Sequence, residues 1–357
     1  MKYTTYVGCY TDAKKEGIHI FETDADAGTF RPIGLVSGIE NAIYLSLSKT
    51  RPLLYAAQGM PEYGAPAQNG AVAVYAIKGD TLLPINHKPI GVTVPCYVAL
   101  DPAEKALVFA EYTNAVAGVF ELNADGSLAD TPPVTVKHSG SGPDKKRQEK
   151  AHAHCSEVTP DGKHLCIVDL GIDRVKAYDF VSRRAGLKEV EKLTIASAGG
   201  AGPRHIVFHP NKRLAFLLHE LNNTVSSFIY TGDAFVHVQT LDTLPPDFHD
   251  FSKAAAIKIS ANGKLLLTSN RGHDSIAAFA IDTATGKMEL MAISKLAGQS
   301  PRDFEFMPGE KFILAGHENS NGLMSYAFDG ATGKLTPASG PYVLYRPVYV
   351  KFGATRA

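Results

Sequence analysis

"HAHCSEVTPDGKHLCIVD", His152–Asp169, decides the fold of this chain. Seven residues that mix polar and apolar side chains lead into Thr-Pro-Asp-Gly-Lys, and an apolar run ending in Asp169 follows. Each residue of the middle has turn chemistry: proline presets φ, aspartate hydrogen-bonds nearby backbone and glycine accepts a left-handed conformation. Neither flanking run has the length or the 3.6-residue period of a helix, so the stretch predicts two antiparallel strands and a tight turn.

The same unit returns along the chain. It reads "AIYLSLSKTRPLLYAAQ" (42–58), "PCYVALDPAEKALVFAE" (95–111), "GPRHIVFHPNKRLAFLLHE" (202–220), "AAAIKISANGKLLLTSNR" (254–271) and "PRDFEFMPGEKFILAGHE" (301–318). Equivalent turn positions are Lys49, Pro102, Pro160, Pro210, Ala261 and Pro308, spaced by roughly 50 residues. A third strand follows most pairs ("AVAVYAI", "VKAYDF", "SIAAFAI", "LMSYAF"), then a looser fourth segment. Four strands in about 50 residues is the size of a propeller blade. A seventh first strand, "RPVYVKFG" (346–353), has no second strand after it, and the amino-terminal "KYTTYVGCYT" is the missing partner. The expectation is an all-β, seven-bladed β-propeller with four antiparallel strands per blade, the last blade closed by the N- and C-terminal strands, which would leave no open sheet edge. The first repeat is the least regular, and six or eight blades would also accommodate it. Length alone suggests two domains, but all-β folds run longer as one, and the reading is a single domain over residues 1–357.

Composition narrows the partners. Thirty-six basic residues balance 36 acidic ones, which argues against nucleic acid or an anionic membrane surface. No apolar run approaches the roughly 18 residues of a membrane span, and the first strand lacks a signal peptide's apolar core. Cys9, Cys96, Cys155 and Cys166 show no paired spacing and read as small buried hydrophobes in a reducing cytoplasm, without structural zinc.

Aligning the repeats predicts which residues share a face. Near the start of the first strands stand Ile43, Cys96, His154, Arg204, Ala255, Arg302 and Val348. Two residues on come Leu45, Val98, Ser156, Ile206, Ile257, Phe304 and Val350, from which a mostly apolar central channel is expected. The second strands end at Gln58, Glu111, Asp169, His219, Asn270 and His317, followed by Gly59, Tyr112, Leu170, Glu220, Arg271 and Glu318. Polar groups thus gather at one end of every second strand. A mouth with Arg204 and Arg271 beside Glu220 and His154 suits a small anionic substrate, since guanidinium groups hold carboxylate or phosphate by paired hydrogen bonds. Glu220 would act as a base and His154 would serve an oxyanion or a leaving oxygen. Arg147, His152, His205 and Arg302 join Glu111, Tyr112, Asp169, His219 and Asn270 as candidate substrate-binding residues.

Other readings compete for these residues. His152 and His154 share a strand face and would begin a metal site with Glu220 or Asp169 as third ligand. The flanking arginines repel a cation and no further His-x-His or cysteine cluster exists, so no metal and no cofactor is expected. His209 in "FHPN" reads as a structural turn residue, and "PDKKRQEK" (143–150) as a solvated loop from which Lys145, Lys146, Arg147 or Lys150 could reach a phosphate. "SAGGAGPR" (197–204) is glycine-rich but enters a strand rather than a helix, which weakens a phosphate-loop reading. A propeller that binds without catalysis also fits the repeat.

The runs "AHAH…TPDGKHLCIVDLGIDRV", "GAGPRHIVFHPN…HELNNTVSSF", "SNRGHDSIAAFAID" and "PRDFEF" strongly resemble the propeller lactonases, the bacterial 6-phosphogluconolactonase type. That resemblance implies a seven-bladed fold, a cytoplasmic enzyme and hydrolysis of 6-phospho-D-glucono-1,5-lactone in the oxidative pentose phosphate route. The family also includes fungal carboxymuconate cycloisomerases, whose functional histidine, two arginines and glutamate fall by motif on His154, Arg204, Arg271 and Glu220. Another acidic lactone, or lactone formation instead of hydrolysis, is the alternative the resemblance carries. Where relatives commonly have an acid at the start of the fifth first strand, this chain has Ala256.

Overall fold

The computed structural model describes residues 1–356 other than Ala13 and Lys15. Each quoted unit forms the first two strands of a four-stranded antiparallel sheet. In sheets 1 to 3 these are Glu40–Leu47 with Leu53–Gly59, Tyr97–Leu100 with Ala106–Glu111, and Ala153–Val158 with His164–Asp169. In sheets 4 to 6 they are Pro203–Phe208 with Leu214–His219, Lys253–Ile259 with Leu265–Arg271, and Pro301–Phe306 with Phe312–His317. Third and fourth strands follow in sequence order in every one. The seventh sheet runs Pro347–Thr355, Lys2–Cys9, Glu16–Asp24, Thr29–Ser37, so the two terminal strands pair, with Val7 opposite Val350. Among the described residues the only helical elements are short 3₁₀ turns, and no helix is long and apolar enough to cross a membrane.

The turn that opened the sequence reading behaves as its residues dictate. Gly162 takes φ 73° and its amide donates to Thr159 O at 2.8 Å. The Thr159 hydroxyl donates to Asp161 Oδ1 at 2.6 Å and accepts from His164 N at 3.0 Å.

By contacts the chain divides into two compact units. The C-terminal unit comprises Met1–Cys9, His19–Ile33 and His205–Ala357, and the N-terminal unit comprises Tyr10–Ile18 and Gly34–Arg204. In the C-terminal unit the expected apolar channel row is instead core. Phe304 packs with Leu267, Ile276 and Tyr326, Ile257 with Leu218, Leu266 and Phe279, and Val350 with Val7, Phe21 and Leu314. The two-residue strand period then gives the opposite face to Lys258, Asp303, Glu305, Tyr349 and Lys351. Lys258 Nζ lies 3.3 Å from both Asp303 Oδ1 and Glu305 Oε2, and Lys351 Nζ 3.3 Å from the same Glu305 oxygen. Periodicity separates two faces without saying which is which, and burial of apolar area decides it.

Cys9, Cys155 and Cys166 are buried, and Cys96 is half-buried. Burial pushes the Cys166 thiol well above its usual range, as an inert core residue requires.

Candidate active site

In the C-terminal unit, Glu220 is the first residue past its strand and Arg271 the last residue of its own. Arg271 Nη2 lies 2.9 Å from Glu220 Oε2 and donates to Ala254 O at 3.1 Å. The Ala254 amide in turn donates to Glu220 O at 3.1 Å, so one residue of the sheet 5 strand holds both members of the pair. Asn223, left-handed at φ 53°, ends the Glu220 turn and donates from Nδ2 to Ser252 O at 3.1 Å. Both charged side chains are buried, and Arg271 Nε has no hydrogen-bond partner. Burial, with the nearby charge of Arg302, pulls the Arg271 guanidinium below its ordinary value, while Glu220 and Glu318 work the other way. Ala256 sits in the apolar cluster with Leu267 and Phe304, and Arg271 takes its orientation from Glu220 and Ala254.

A second cluster adjoins in the same unit. Arg302 Nη1 lies 3.6 Å from Glu318 Oε2, and Arg346 Nη2 donates to Glu318 Oε1. Burial works to raise the Glu318 carboxyl, but the charges of Arg302, Arg346 and Arg271 outweigh it and hold it below the usual carboxylate range. Arg302 owes its direction to a β-bulge. Pro301 pairs with His317 and Asp303 with Gly316, so Arg302 is the extra residue and leaves the ladder.

The N-terminal unit repeats the device. Ala153 pairs with Asp169 and Cys155 with Val168, which makes His154 the extra residue. Its ring meets Tyr112 edge-on at 5.4 Å, and Cys96 Sγ lies 3.9 Å from its Nδ1. His152 stacks on Tyr112 at 4.2 Å, with Nδ1 3.0 Å from Tyr112 O and Nε2 3.2 Å from Glu149 Oε1. Arg147 reaches the Tyr112 hydroxyl at 3.3 Å. Arg147, Tyr112, His152 and His154 are therefore brought together. Arg204 and the adjacent His205 are both buried on their strand.

The polar residues that end the second strands hold turns. Asp169 accepts from His152 N at 2.7 Å and Gly171 N at 2.9 Å, and lies 2.8 Å from His138 Nδ1. Glu111 accepts from the amides of Thr113 and Asn114, both at 2.8 Å, and from the Thr93 hydroxyl. Asn270 exchanges hydrogen bonds with Thr243, and His219 lies 3.1 Å from the Thr224 hydroxyl. These bonds tie each strand end to the segment entering its sheet or to the next strand, a use of polar residues that the shared position alone does not reveal. His209 accepts from Asn211 N at 3.0 Å and donates to Gly263 O at 2.7 Å, as a turn residue should. In the glycine-rich loop, the Gly200 and Gly202 amides both donate to the Asp173 carboxylate at 2.8 Å, the place a phosphate would need. The loop 143–150 is anchored by buried Gln148, while Lys145, Lys146 and Lys150 are exposed.

Residues 4–352 match the family described as lactonase, 7-bladed beta-propeller. The chain belongs to that lactonase family. Its seven four-stranded sheets are the seven blades. A 6-phosphogluconolactonase of Bacillus subtilis is 35% identical over 98% of this lactonase and 98% of its own length. The periplasmic gluconolactonase of Pseudomonas aeruginosa superposes with a TM-score of 0.92 at 28% identity over all of both chains. A Lactobacillus plantarum protein gives 0.88 at 33% identity over 99% of this chain and 100% of its own.

Glu318 and Arg346 are absent from the candidate residues that sequence supplies for this lactonase. Glu318 occupies the same repeat position as Glu220, which was available as a signal. Arg346 was hidden because it precedes its proline in "YRPV", whereas Arg204 and Arg302 follow theirs in "GPR" and "SPR".

Proposed function

We propose that this lactonase is a cytoplasmic 6-phosphogluconolactonase, hydrolysing 6-phospho-D-glucono-1,5-lactone to 6-phosphogluconate for the pentose phosphate route. The observation that carries the reading is the buried Glu220–Arg271 pair at 2.9 Å, on a chain 35% identical to an enzyme of that name. A glutamate held ionised by an adjacent guanidinium is a base for water. Water attacks the lactone carbonyl carbon and passes a proton to Glu220, while Arg271 stabilises the oxyanion that forms. The ring C–O bond then breaks, and the leaving oxygen takes a proton from His154. Arg204 binds the substrate's anionic group or polarises its carbonyl. The reaction needs water and side chains only, so neither metal nor cofactor enters the scheme. The partner is one small anionic lactone, with no role for nucleic acid or membrane.

Purified protein in the presence of chelator should hydrolyse 6-phosphogluconolactone well above its spontaneous rate. Glu220→Gln should lower kcat by on the order of 100-fold or more, with an unchanged circular dichroism spectrum. Undiminished turnover in that variant would remove Glu220 from the chemistry. A panel of phosphorylated and carboxylated lactones, ranked by kcat/KM, separates this substrate from other acidic lactones.

A further inference from the structure

One cleft of the C-terminal unit breaks the regularity of the blades. In three sheets, a glycine of the turn between third and fourth strands seats on the residue that opens the second strand of the preceding sheet. Gly126 meets Leu53, Gly286 meets Leu214 and Gly28 meets Phe312, each so closely that an added Cβ would come within 2.9 Å of that side chain. The turn of sheet 6 departs from this. Its Gly333 lies instead against Ala278 and Met291, in the third and fourth strands of sheet 5. A Cβ on Gly330 of the same turn would stand 3.7 Å from Leu265 Cδ1, an ordinary contact. Leu265, the counterpart of Leu53, Leu214 and Phe312, is therefore left unsealed, and a cavity of about 480 Å³ opens beside it.

The lining of this cavity divides by chemistry. Leu265, Ile281 and Met291 supply an apolar wall, and the exposed Asn262 and Lys264 stand at its rim. Asn262 commits Oδ1 to the Ser260 hydroxyl at 2.8 Å and the Lys264 amide at 2.9 Å, which leaves Nδ2 as a donor. The Lys264 ammonium makes neither an ion pair nor a hydrogen bond. Asp282, the other charged residue of the lining, serves its own turn, accepting from Ala284 N at 2.9 Å and the Thr285 hydroxyl at 2.6 Å. The turn that carries the two donors is fixed: Gly263 takes φ 73°, and its carbonyl accepts from His209 Nε2 at 2.7 Å.

We propose that this cleft binds a small amphipathic carboxylate, its head on Lys264 Nζ and Asn262 Nδ2 and its hydrocarbon tail against Leu265, Ile281 and Met291. The volume lies in the range of small-ligand sites, which combine apolar walls with a few placed polar groups. An ammonium gives a carboxylate charge-assisted hydrogen bonds, and the tail takes the apolar wall out of water. Leu265 opens and Arg271 ends one strand, so about 20 Å separates the cleft from the Glu220–Arg271 pair. The site is thus distinct from the one proposed for the lactone, and the inference holds whichever lactone that site takes.

Hexanoate, titrated into protein with carbon-13-labelled methionine methyl groups, tests this, with hexanol as the uncharged probe and Met291→Leu to identify the signal. The Met291 methyl should shift saturably with hexanoate, with a Kd on the order of 1 mM for a ligand of this size. Lys264→Gln should raise that Kd on the order of 5-fold and leave the Kd for hexanol unchanged. Leu265→Phe, which copies Phe312, should fill the cleft and abolish the shift. Where that variant does not fold, Lys264→Gln decides alone, because its side chain is exposed and unbonded. No saturable shift by about 20 mM hexanoate in the wild type overturns the site. A hexanoate Kd unmoved by Lys264→Gln, or moved together with that for hexanol, overturns the carboxylate assignment.

Discussion

His317 shows how one side chain sets a pH limit on the fold. It ends the second strand of sheet 6 fully buried, with Nε2 2.9 Å from the Tyr326 hydroxyl. Burial pulls its imidazole from an ordinary value of 6.5 down to about 4. Between those two values the unfolded chain binds a proton that the fold refuses. The contribution is therefore complete above pH 6.5 and drains away as pH falls toward 4, with a ceiling of about 3 kcal/mol. Urea midpoints of wild type and His317→Gln across that window should show a shallower pH slope in the variant, and equal slopes would refute the assignment. At this scale the sequence was informative for Glu220 and Arg271, because equivalent repeat positions identify neighbours. It was uninformative for His317 and Asp169, because a polar residue at a strand end reads alike whether it faces substrate or ties down a turn.

Between elements, the first strands of sheets 5, 6 and 7 are linked by ions as well as by apolar packing. Lys258 reaches Asp303 and Glu305, and Lys351 reaches Glu305, all in partly or fully buried surroundings. Burial opposes the charge on Lys258, but the two carboxylates outweigh it and raise its ammonium above the ordinary value. Lys258→Met leaves Asp303 buried without its cation, and should cost about 3–5 kcal/mol by chemical denaturation. Adding Asp303→Asn should return part of the loss, since the stranded charge goes with it. A double variant as unstable as the sum of its parts would mean that the two residues do not act together. Strand positions were legible from turns such as Thr-Pro-Asp-Gly. The bulges at His154 and Arg302 were not, because one extra residue in a strand changes neither composition nor spacing enough to be seen.

For the whole molecule, the repeat carried most of the information. Six strand–turn–strand units and an unpaired seventh strand were enough to expect seven blades and the pairing of the chain's two terminal strands, which the seventh sheet contains. The reading of 1–357 as one domain is a proposal with a calorimetric consequence. Heating should give one transition whose van't Hoff and calorimetric enthalpies agree, and two separable transitions would contradict it. The bulges have a consequence of another kind. Because His154 and Arg302 are each surplus to the ladder they leave, excising either one would let its neighbours close up into regular pairing without shifting any downstream register. Under the proposed function, a single in-frame codon loss at either place would be a short evolutionary path from catalyst to inert scaffold, with every blade preserved.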